Sequence, residues 1–280
     1  MIKKDVENRM VKIAVILTVY NRRNTTLEGL RSIHKIISTF GNNYVFTIYM
    51  TDDGCTDGTG EAVAMEFPDV IITKGDGNLF WAGGMNKSWK AANHHDKYDY
   101  FIWFNDDALL LDNAFNLLFE PIYRLGSRVI VSGAFKDSLG NVSYGGRDKR
   151  KKLISPNGTS QPIFYMNGNL TLIPAAVVQE IGYLDIQFLH LGGDWDYGLR
   201  AQKRGIKVVL TSDYVGITDR HDKDAFSGSL IERFHKLYSK KHNPFVSWRF
   251  YRRHFGICCA LFEFLKRHIT TIFPSKNVRR

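Results

Sequence analysis

The stretch FIWFNDDALL, residues 101–110, passes from four apolar residues directly into Asn105, Asp106 and Asp107. The apolar residues are typical of a strand that is buried on both faces of a parallel sheet. Two adjacent carboxylates do not belong in an apolar core, because burying an unpaired charge is costly. We therefore expect the two aspartates at the end of a buried strand, where a cation can neutralise them.

Strand and helix patterns alternate around this stretch in the first half of the chain. Strands are predicted at 11–20, 44–53, 70–73 and 100–105, and helices at 25–40, 57–67, 84–93 and near 112–123. Thr25 is the predicted cap of the first helix, and a glycine-rich loop is predicted to precede the third. This alternation is typical of βαβ units, so we predict an α/β fold with a mostly parallel central sheet flanked by helices.

The second half of the chain is less regular. Strands are predicted at 129–135, 170–174 and 206–211, and helices up to about Ile181 and from Asp194 to Arg204. The basic run GGRDKRKK at 145–152 is predicted to be an exposed loop. No internal repeat and no long linker interrupts the body. The predicted organisation is therefore a flexible N-terminus at 1–11, one domain at 12–222 and a basic helical extension at 223–280.

Composition and cysteine content limit the class of protein. With 44% hydrophobic residues in a chain of 280, a folded globular protein is expected. The three cysteines, Cys55, Cys258 and Cys259, have no metal-ligand spacing, which argues against a zinc site or a disulfide framework and favours a reducing compartment. The polar N-terminus has no apolar signal segment, and no stretch approaches the ~20 apolar residues of a spanning helix. We therefore predict a cytoplasmic protein.

The net charge of +10 is confined to the C-terminal part of the chain. Residues 1–219 contain 24 Lys and Arg and 24 Asp and Glu, whereas residues 220–280 contain 14 and 4. One or two helices are predicted at 248–273, with Arg249, Arg253 and Arg267 opposite an apolar face. That face is predicted to contain Trp248, Tyr251, Phe255, Cys258, Cys259, Phe262, Ile269 and Phe273. Two interpretations stay open: residues 245–280 lie on an anionic membrane surface, or the apolar face packs on the domain.

Three predicted strands end in polar clusters, at 18–22, at 52–54 and at 105–107. Any one of these clusters alone could be a turn or a helix cap, since Asp and Asn are common in both. Together they would line one edge, because ligands bind at the carboxyl ends of strands in open parallel sheets. The first loop has neither the glycine pattern of a dinucleotide site nor that of a P-loop. Carboxylates at such an edge suit Mg²⁺ or Mn²⁺ bridging to substrate phosphates.

Five segments, taken in order, resemble the family 2 glycosyltransferases, which have the GT-A fold. The segments are VILTVYNR (15–22), DDGCTDGT (52–59), GNLFWAGGMNKS (77–88), NDDALLLD (105–112) and GGDWDYGLRAQKRG (192–205). The most similar members are rhamnosyl- and galactosyltransferase-like enzymes that build bacterial surface polysaccharides. The resemblance implies a donor that is a UDP- or dTDP-sugar and an acceptor that is a growing, lipid-linked glycan. For such an acceptor, the inner face of the cytoplasmic membrane is the expected location.

The resemblance also implies residue roles. Contacts to the nucleotide-sugar are expected from Thr18, Tyr20, Asn21, Arg22, Asp52, Asp53, Asn78, Trp81, Gly84, Asn86, Asn105 and Asp106. A divalent metal, Mn²⁺ or Mg²⁺, is expected on Asp107, with His221 as a second ligand. In this motif Asn105 replaces the first aspartate of the family pattern, although an amide oxygen can also bind a metal. MNGNLTLIP (166–174) is expected near the acceptor.

Asp194 matches the catalytic base of the family, with Gly193 where a glutamate is common. A carboxylate there would remove the proton of the acceptor hydroxyl as its oxygen attacks the anomeric carbon, which inverts that centre. A helix cap is the alternative role for Asp194. On the same helix, Arg200 is predicted to pair with a carboxylate and so to be structural.

Two other functions are less consistent with the sequence than glycosyl transfer. A sugar-phosphate nucleotidyltransferase should have a glycine-rich, basic first loop, and TVYNRRN (18–24) contains no glycine. A non-catalytic protein that binds nucleic acid or another polyanion is suggested by the isoelectric point near 9.4. However, the basic residues are confined to the tail and form no recognised motif, so no nucleic-acid partner is expected.

Overall fold

Ten strands form one sheet in this computed structural model, which describes residues 9–189, 192–219, 228–240 and 242–274. The strands are β1 (Val11–Val19), β2 (Tyr44–Asp52), β3 (Ile71–Lys74), β4 (Tyr100–Phe104), β5 (Leu109–Leu110), β6 (Val129–Lys136), β7 (Val142–Tyr144), β8 (Gln161–Pro162), β9 (Leu170–Pro174) and β10 (Lys207–Ile217). The helices are α1 (Arg23–Ile37), α2 (Thr59–Glu66), α3 (Phe80–His95), α4 (Ala114–Leu125), α5 (Ala175–Ile181), α6 (Gly193–Lys203), α7 (Leu230–Leu237), α8 (Pro244–Phe255) and α9 (Ile257–Ile272).

Some predictions fall on residues outside these ranges. His221 is one, as is the predicted domain boundary at 222. Most of the predicted flexible N-terminus lies there too, although β1 already begins at Val11.

The sheet is parallel in its first half and mixed in its second. The strand order is β3-β2-β1-β4-β9-β6-β10-β5, with β7 beside β6 and β8 beside β10. The pairs among β1 to β4 are parallel, as are β6 and β10. β9 is antiparallel to both β4 and β6, which the sequence did not predict. The α/β fold with a central sheet between helices is confirmed.

The core has two parts, one on each face of the sheet. In β1, Val15 and Leu17 face a cluster with α1, α2 and α4, whereas Ala14 and Ile16 face a second cluster with α3, α5 and α6. All four side chains are fully buried. Burial on both faces accounts for the unbroken apolar runs of β1 and β4, since neither strand needs a polar side.

Two helix starts differ from the prediction. α1 begins at Arg23 and has no side-chain cap, so the predicted cap at Thr25 is wrong. α3 begins at Phe80, so the glycines at 83 and 84 lie in its first turns and not in a loop. Gly84 is needed for close packing, because a Cβ there would lie 2.0 Å from Thr18 Oγ1 on β1.

The two C-terminal helices pack back on the domain. Gly256, at φ +90°, separates α8 from α9. Phe250 of α8 is buried against Phe188 and Trp195. None of the helices in the described ranges is long and apolar enough to cross a membrane.

Arg253 and Arg267, which were predicted opposite the apolar face, both have polar partners within the protein. Arg253 forms ion pairs with Asp185 at 2.6 Å and Asp196 at 2.8 Å. Arg267 is half-buried and donates to the His242 carbonyl at 2.9 Å. On α9, Arg267 reaches inward, whereas apolar residues such as Leu261, Phe262 and Leu265 are exposed to solvent.

Candidate active site

A cavity of about 1030 Å³ opens at the carboxyl ends of β1, β2 and β4. Eight of the predicted site residues line it: Thr18, Tyr20, Arg22, Asp53, Trp81, Asn105, Asp107 and Asp194. Residues 167–169 line it as well, where the acceptor was expected. The fold therefore brings the three polar strand ends, residues 167–169 and the first turn of α6 to one site.

Arg22 holds the two aspartates of the β4 end. Its guanidinium lies 2.5 Å from Asp106 Oδ1 and 3.0 Å from Asp107 Oδ2. Asp106 is only 1% exposed and also accepts a 2.7 Å hydrogen bond from Thr26 Oγ1. Burial raises the pKa of Asp106 to about 6, and the Arg22 charge opposes that rise. Asp106 thus lies behind the cavity wall and anchors Arg22, which itself faces the cavity.

Asp107 fits the expected metal. It lines the cavity, and its Oδ1 is buried without a hydrogen-bond partner. A buried acceptor of this kind suits a cation, since hard divalent ions prefer oxygen ligands. Within the described ranges no group of three or more His, Cys, Asp or Glu residues is arranged to hold a metal. Asp107 would therefore need further oxygens, and substrate phosphates are the usual source.

Asn105 positions Trp81. Its Oδ1 accepts a 2.9 Å hydrogen bond from Trp81 Nε1, and its Nδ2 donates to Asn169 Oδ1 at 2.9 Å. Gly168 leaves room for this arrangement, because a Cβ there would lie 2.6 Å from Trp81 Cζ2. The indole is therefore fixed between the β4 end and the loop at 167–169.

Asp53 shapes the turn before α3. Its carboxylate accepts hydrogen bonds from the backbone N–H groups of Gly77 at 3.0 Å, Leu79 at 3.1 Å and Phe80 at 3.1 Å. Phe80 has φ +54°, which is rare for a residue other than glycine. Such strain persists only where the surroundings enforce it and is found often at functional sites.

Other predicted donor contacts do not line the cavity. Asp52 is buried and pairs with Lys74 Nζ at 2.6 Å. Asn21, at φ +49°, accepts from the Thr56 N–H at 2.8 Å. Asn78 accepts a hydrogen bond from Lys240, and Asn86 donates one to the Leu184 carbonyl. Gly84 packs against Thr18 of β1. Their partners lie within the protein, so their roles toward a nucleotide stay predictions.

Asp194 lies in the first turn of α6. The cap of that helix is Gly192, so Asp194 is not the cap residue. Its Oδ1 accepts from the Trp195 N–H at 2.8 Å and its Oδ2 from the Gly168 N–H at 3.3 Å. Burial raises the pKa of Asp194 to about 6, while these backbone bonds oppose the rise. A carboxylate with this pKa is mostly ionised at pH 7 and is a better proton acceptor than an ordinary aspartate.

Asp196 ties the helix of Asp194 to α8. The buried carboxylate accepts from Arg200 at 2.8 Å, from Arg253 at 2.8 Å and from His254 at 2.9 Å. The prediction that Arg200 pairs with a carboxylate is confirmed. Because Arg253 and His254 belong to α8, the C-terminal helices help to fix the orientation of α6.

Sequence reasoning missed the basic part of the cavity wall. Arg147 and Lys151 line the cavity, although residues 145–152 were predicted to be an exposed loop. Tyr251 of α8 and Arg267 of α9 line it too. The signal in the sequence was Gly145-Gly146, because both glycines are buried and bring the loop against the sheet.

Solved structures share this fold. GalNAc-T7 with UDP, GalNAc and Mn²⁺ superposes with a TM-score of 0.57 at 15% identity, over 94% of this chain and 55% of that one. S. aureus TarS 1-349 with UDP-GlcNAc gives 0.59 at 14% identity, over 93% and 73%. The mannosyltransferase PcManGT from Pyrobaculum calidifontis with GDP-Man and Mn²⁺ gives 0.53 at 17% identity, over 97% and 78%. The GT-A fold is thereby confirmed, although the chain spans little more than half of GalNAc-T7.

Sequence comparison identifies the family. No curated protein is significantly similar to the chain in sequence. The profile described as Glycosyl transferase family 2 matches residues 14–182, which is more than half of the 280 residues. The matched segment contains all three polar strand ends described above. The chain therefore belongs to glycosyl transferase family 2.

Proposed function

We propose that the protein is a metal-dependent, inverting glycosyltransferase. It moves a hexose or deoxyhexose from a UDP- or dTDP-sugar to a hydroxyl of a growing, lipid-linked glycan. The observation that carries this proposal is that Asp107, with its unpartnered Oδ1, and Asp194, with its raised pKa, face one cavity. One carboxylate suits a metal on the donor and the other suits a base for the acceptor.

The donor binds at the strand ends in this proposal. Tyr20 is 53% exposed at the β1 end and offers a ring to the nucleotide. Arg22 and Asp107 lie where the diphosphate would bind, and Asp107 would hold the divalent ion. That ion would neutralise negative charge on the departing nucleotide diphosphate. Arg22 adds a fixed positive charge to the same region, which suits a phosphate group.

Asp194 acts on the acceptor. Its carboxylate accepts the proton of the acceptor hydroxyl while that oxygen forms a bond to the anomeric carbon and the diphosphate oxygen leaves with its electron pair. One displacement on one face inverts the anomeric centre. The hydrogen bonds from Trp195 and Gly168 hold the carboxylate in place before the acceptor arrives.

The anomeric configuration of the product shows whether transfer inverts the anomeric centre. We expect transfer from a UDP- or dTDP-sugar to give one product whose anomeric configuration is opposite to that of the donor, as read by proton NMR coupling constants. Retention of configuration would overturn the inverting mechanism. Donor hydrolysis without any transfer, with a broad panel of acceptors, would count against glycosyl transfer itself.

The exposed face of α9 supports a peripheral position on the cytoplasmic face of an anionic membrane. Helical spacing places six exposed apolar residues of α9 on one arc, namely Ile257, Leu261, Phe262, Leu265, Ile269 and Ile272, and the exposed Phe273 follows the helix. Ala260 and Thr271, on the opposite side, are buried. An apolar arc of this size in the basic part of the chain fits the boundary between lipid head groups and acyl chains.

Vesicle sedimentation tests the membrane proposal. We expect Phe262→Ser with Leu265→Ser to reduce binding to vesicles containing anionic lipid at least tenfold. Leu139→Ser is the matched control, because Leu139 is 84% exposed but lies far from α9 in sequence, after β6. Equal sedimentation of the double variant and the control would contradict a lipid-binding role for this face.

A further inference from the structure

The part of the cavity beyond Asp194 is basic. It lies between the loop at 145–153 and helices α8 and α9, and Arg147, Lys151 and Arg267 line it with the carboxylate of Glu263. Three positive charges and one negative charge leave a local excess of two. Neither the donor site nor the proposed base uses these side chains.

Lys151 is held in a strained backbone conformation. Its φ is +66°, and a turn closed by the hydrogen bond from its N–H to the Asp148 carbonyl at 3.0 Å maintains it. The ammonium group donates to the Tyr251 hydroxyl and lies 5.0 Å from the centre of that ring. A residue other than glycine at positive φ is costly, and such residues cluster at ligand sites. Here the strained backbone conformation places the Lys151 side chain on the cavity wall.

Arg267 is a half-buried cation with no carboxylate oxygen within 4.0 Å among the described residues. Its guanidinium donates to the His242 carbonyl at 2.9 Å, and the closest acidic influence is the Glu263 carboxylate, which pairs with Lys266 at 3.8 Å. Burial lowers the pKa of Arg267, and the nearby Tyr251 and Glu263 oppose that effect. Buried charges are normally paired, so this guanidinium suits an anion that comes from outside the chain.

The positively charged residues of the cavity wall and Asp194, the proposed base, line the same cavity. The positive charge of Arg147 is close enough to lower the pKa of Asp194, against the larger effect of burial. The neighbouring rings of Trp195 and Tyr251 also line the cavity. Aromatic faces beside cations suit a sugar that carries a negative group.

We infer that this region is an acceptor subsite for a glycan end that carries a phosphate group, bound by Lys151 and Arg267 with Arg147 next to the base. The inference rests on the proposed function, because the acceptor hydroxyl must lie at Asp194. An excess of two positive charges matches a phosphate dianion, and guanidinium groups bind phosphate with two parallel hydrogen bonds. The phosphate belongs either to a soluble sugar phosphate or to a lipid-linked sugar diphosphate.

Binding of inorganic phosphate tests the subsite. The full-length protein is first saturated with UDP and Mg²⁺ to fill the donor part, and phosphate is then titrated by calorimetry. We expect Lys151→Met and Arg267→Gln each to raise the Kd for phosphate at least tenfold. Arg150→Gln is the matched control, since Arg150 is an exposed cation of the same loop that does not line the cavity, and its Kd should be unchanged. Equal affinity in all variants, or no phosphate binding to the wild type, would overturn the inference.

Measuring UDP binding to each variant distinguishes a failure of the phosphate subsite from a failure of the proposed donor site. If UDP binds every variant equally while phosphate affinity falls only in Lys151→Met and Arg267→Gln, the subsite is supported. Failure of the wild type to bind UDP would instead count against the donor site. Competition then identifies the source of the phosphate group. Displacement of phosphate by a sugar 1-phosphate would indicate a soluble acceptor. Displacement only by a polyprenyl diphosphate sugar in detergent micelles would indicate a lipid-linked acceptor. Displacement by neither would contradict an acceptor role.

Discussion

Arg22 bridges Asp106 and Asp107, with 2.5 Å between Arg22 Nη2 and Asp106 Oδ1 and 3.0 Å between Arg22 Nη1 and Asp107 Oδ2. The two adjacent aspartates differ in burial, since the Asp106 side chain is 0% exposed and that of Asp107 is 27% exposed. Asp106 therefore supports the site from inside the protein, whereas Asp107 is available to a ligand. This difference answers why one buried strand ends in two carboxylates.

Asp107→Asn should abolish the metal effect without unfolding the protein. The amide keeps the size of the side chain but removes the negative charge, and a neutral amide oxygen binds a divalent ion more weakly than a carboxylate does. We expect the thermal stabilisation by UDP and Mn²⁺ to fall to that seen with UDP and a chelator, and transfer to fall at least 100-fold. Unchanged Mn²⁺ dependence in the variant would show that Asp107 does not bind the metal.

Asp106 should make stability depend on pH. Its pKa rises from 3.8 unfolded to about 6 folded, so the folded state binds its proton more tightly. That contribution to stability is complete below pH ~4 and is lost as the pH rises through about 6, with a size of roughly 2–3 kcal/mol. Asp194 has a similarly raised pKa, so urea unfolding between pH 4 and 7 isolates the Asp106 contribution only as the difference between the wild type and Asp106→Asn. The decrease should be smaller by that amount in Asp106→Asn, and identical pH profiles would contradict the assignment.

Asp194→Asn should remove the base. A positioned general base contributes about 10²- to 10⁴-fold, so we expect kcat to fall within that range while UDP affinity stays unchanged. In the wild type, kcat/KM should fall as the pH decreases through about 6, because Asp194 then becomes protonated. A variant with the wild-type rate, or a profile flat from pH 5 to 7, would exclude Asp194 as the base.

Gly84→Ala should destabilise the domain, because a Cβ at this position would lie 2.0 Å from Thr18 Oγ1. Overpacking of this kind typically costs about 1–3 kcal/mol in the free energy of unfolding. Gly83→Ala is the control: its Cβ would meet the Leu79 side chain at 3.1 Å, and alanine favours a helix. Urea unfolding of both variants measures the difference, and equal stabilities would contradict the packing argument.

The first half of the fold could be predicted because its signals are local. β1, β2 and β4 are apolar runs that end in polar residues, and adjacent βαβ units bring those ends to one edge. Residues at these ends that line the cavity, such as Tyr20, Asp53 and Asp107, could therefore be named from the sequence together with the family resemblance, and their roles stay predictions. Tertiary contacts decided the rest, as with Asp52, which faces Lys74 and not the cavity.

The second half could not be predicted from local pattern. Antiparallel insertion of β9 between β4 and β6 depends on contacts between distant segments. Periodicity separated the faces of α9 but did not show which one is buried, because Arg267 reaches an internal carbonyl while Leu261 faces solvent. Lys151 was missed because a basic loop is normally solvated, whereas the packing of this loop and the contact with Tyr251 are tertiary features.

Thermal unfolding across a panel of nucleotide-sugars tests the central claim most directly. Each nucleotide-sugar is added with Mn²⁺ and again with a chelator. We predict metal-dependent stabilisation by one or two UDP- or dTDP-sugars, of about 2.7 kcal/mol at a concentration ~100 times the Kd. No stabilisation by any nucleotide-sugar with the metal present would contradict a donor site at the ends of β1, β2 and β4.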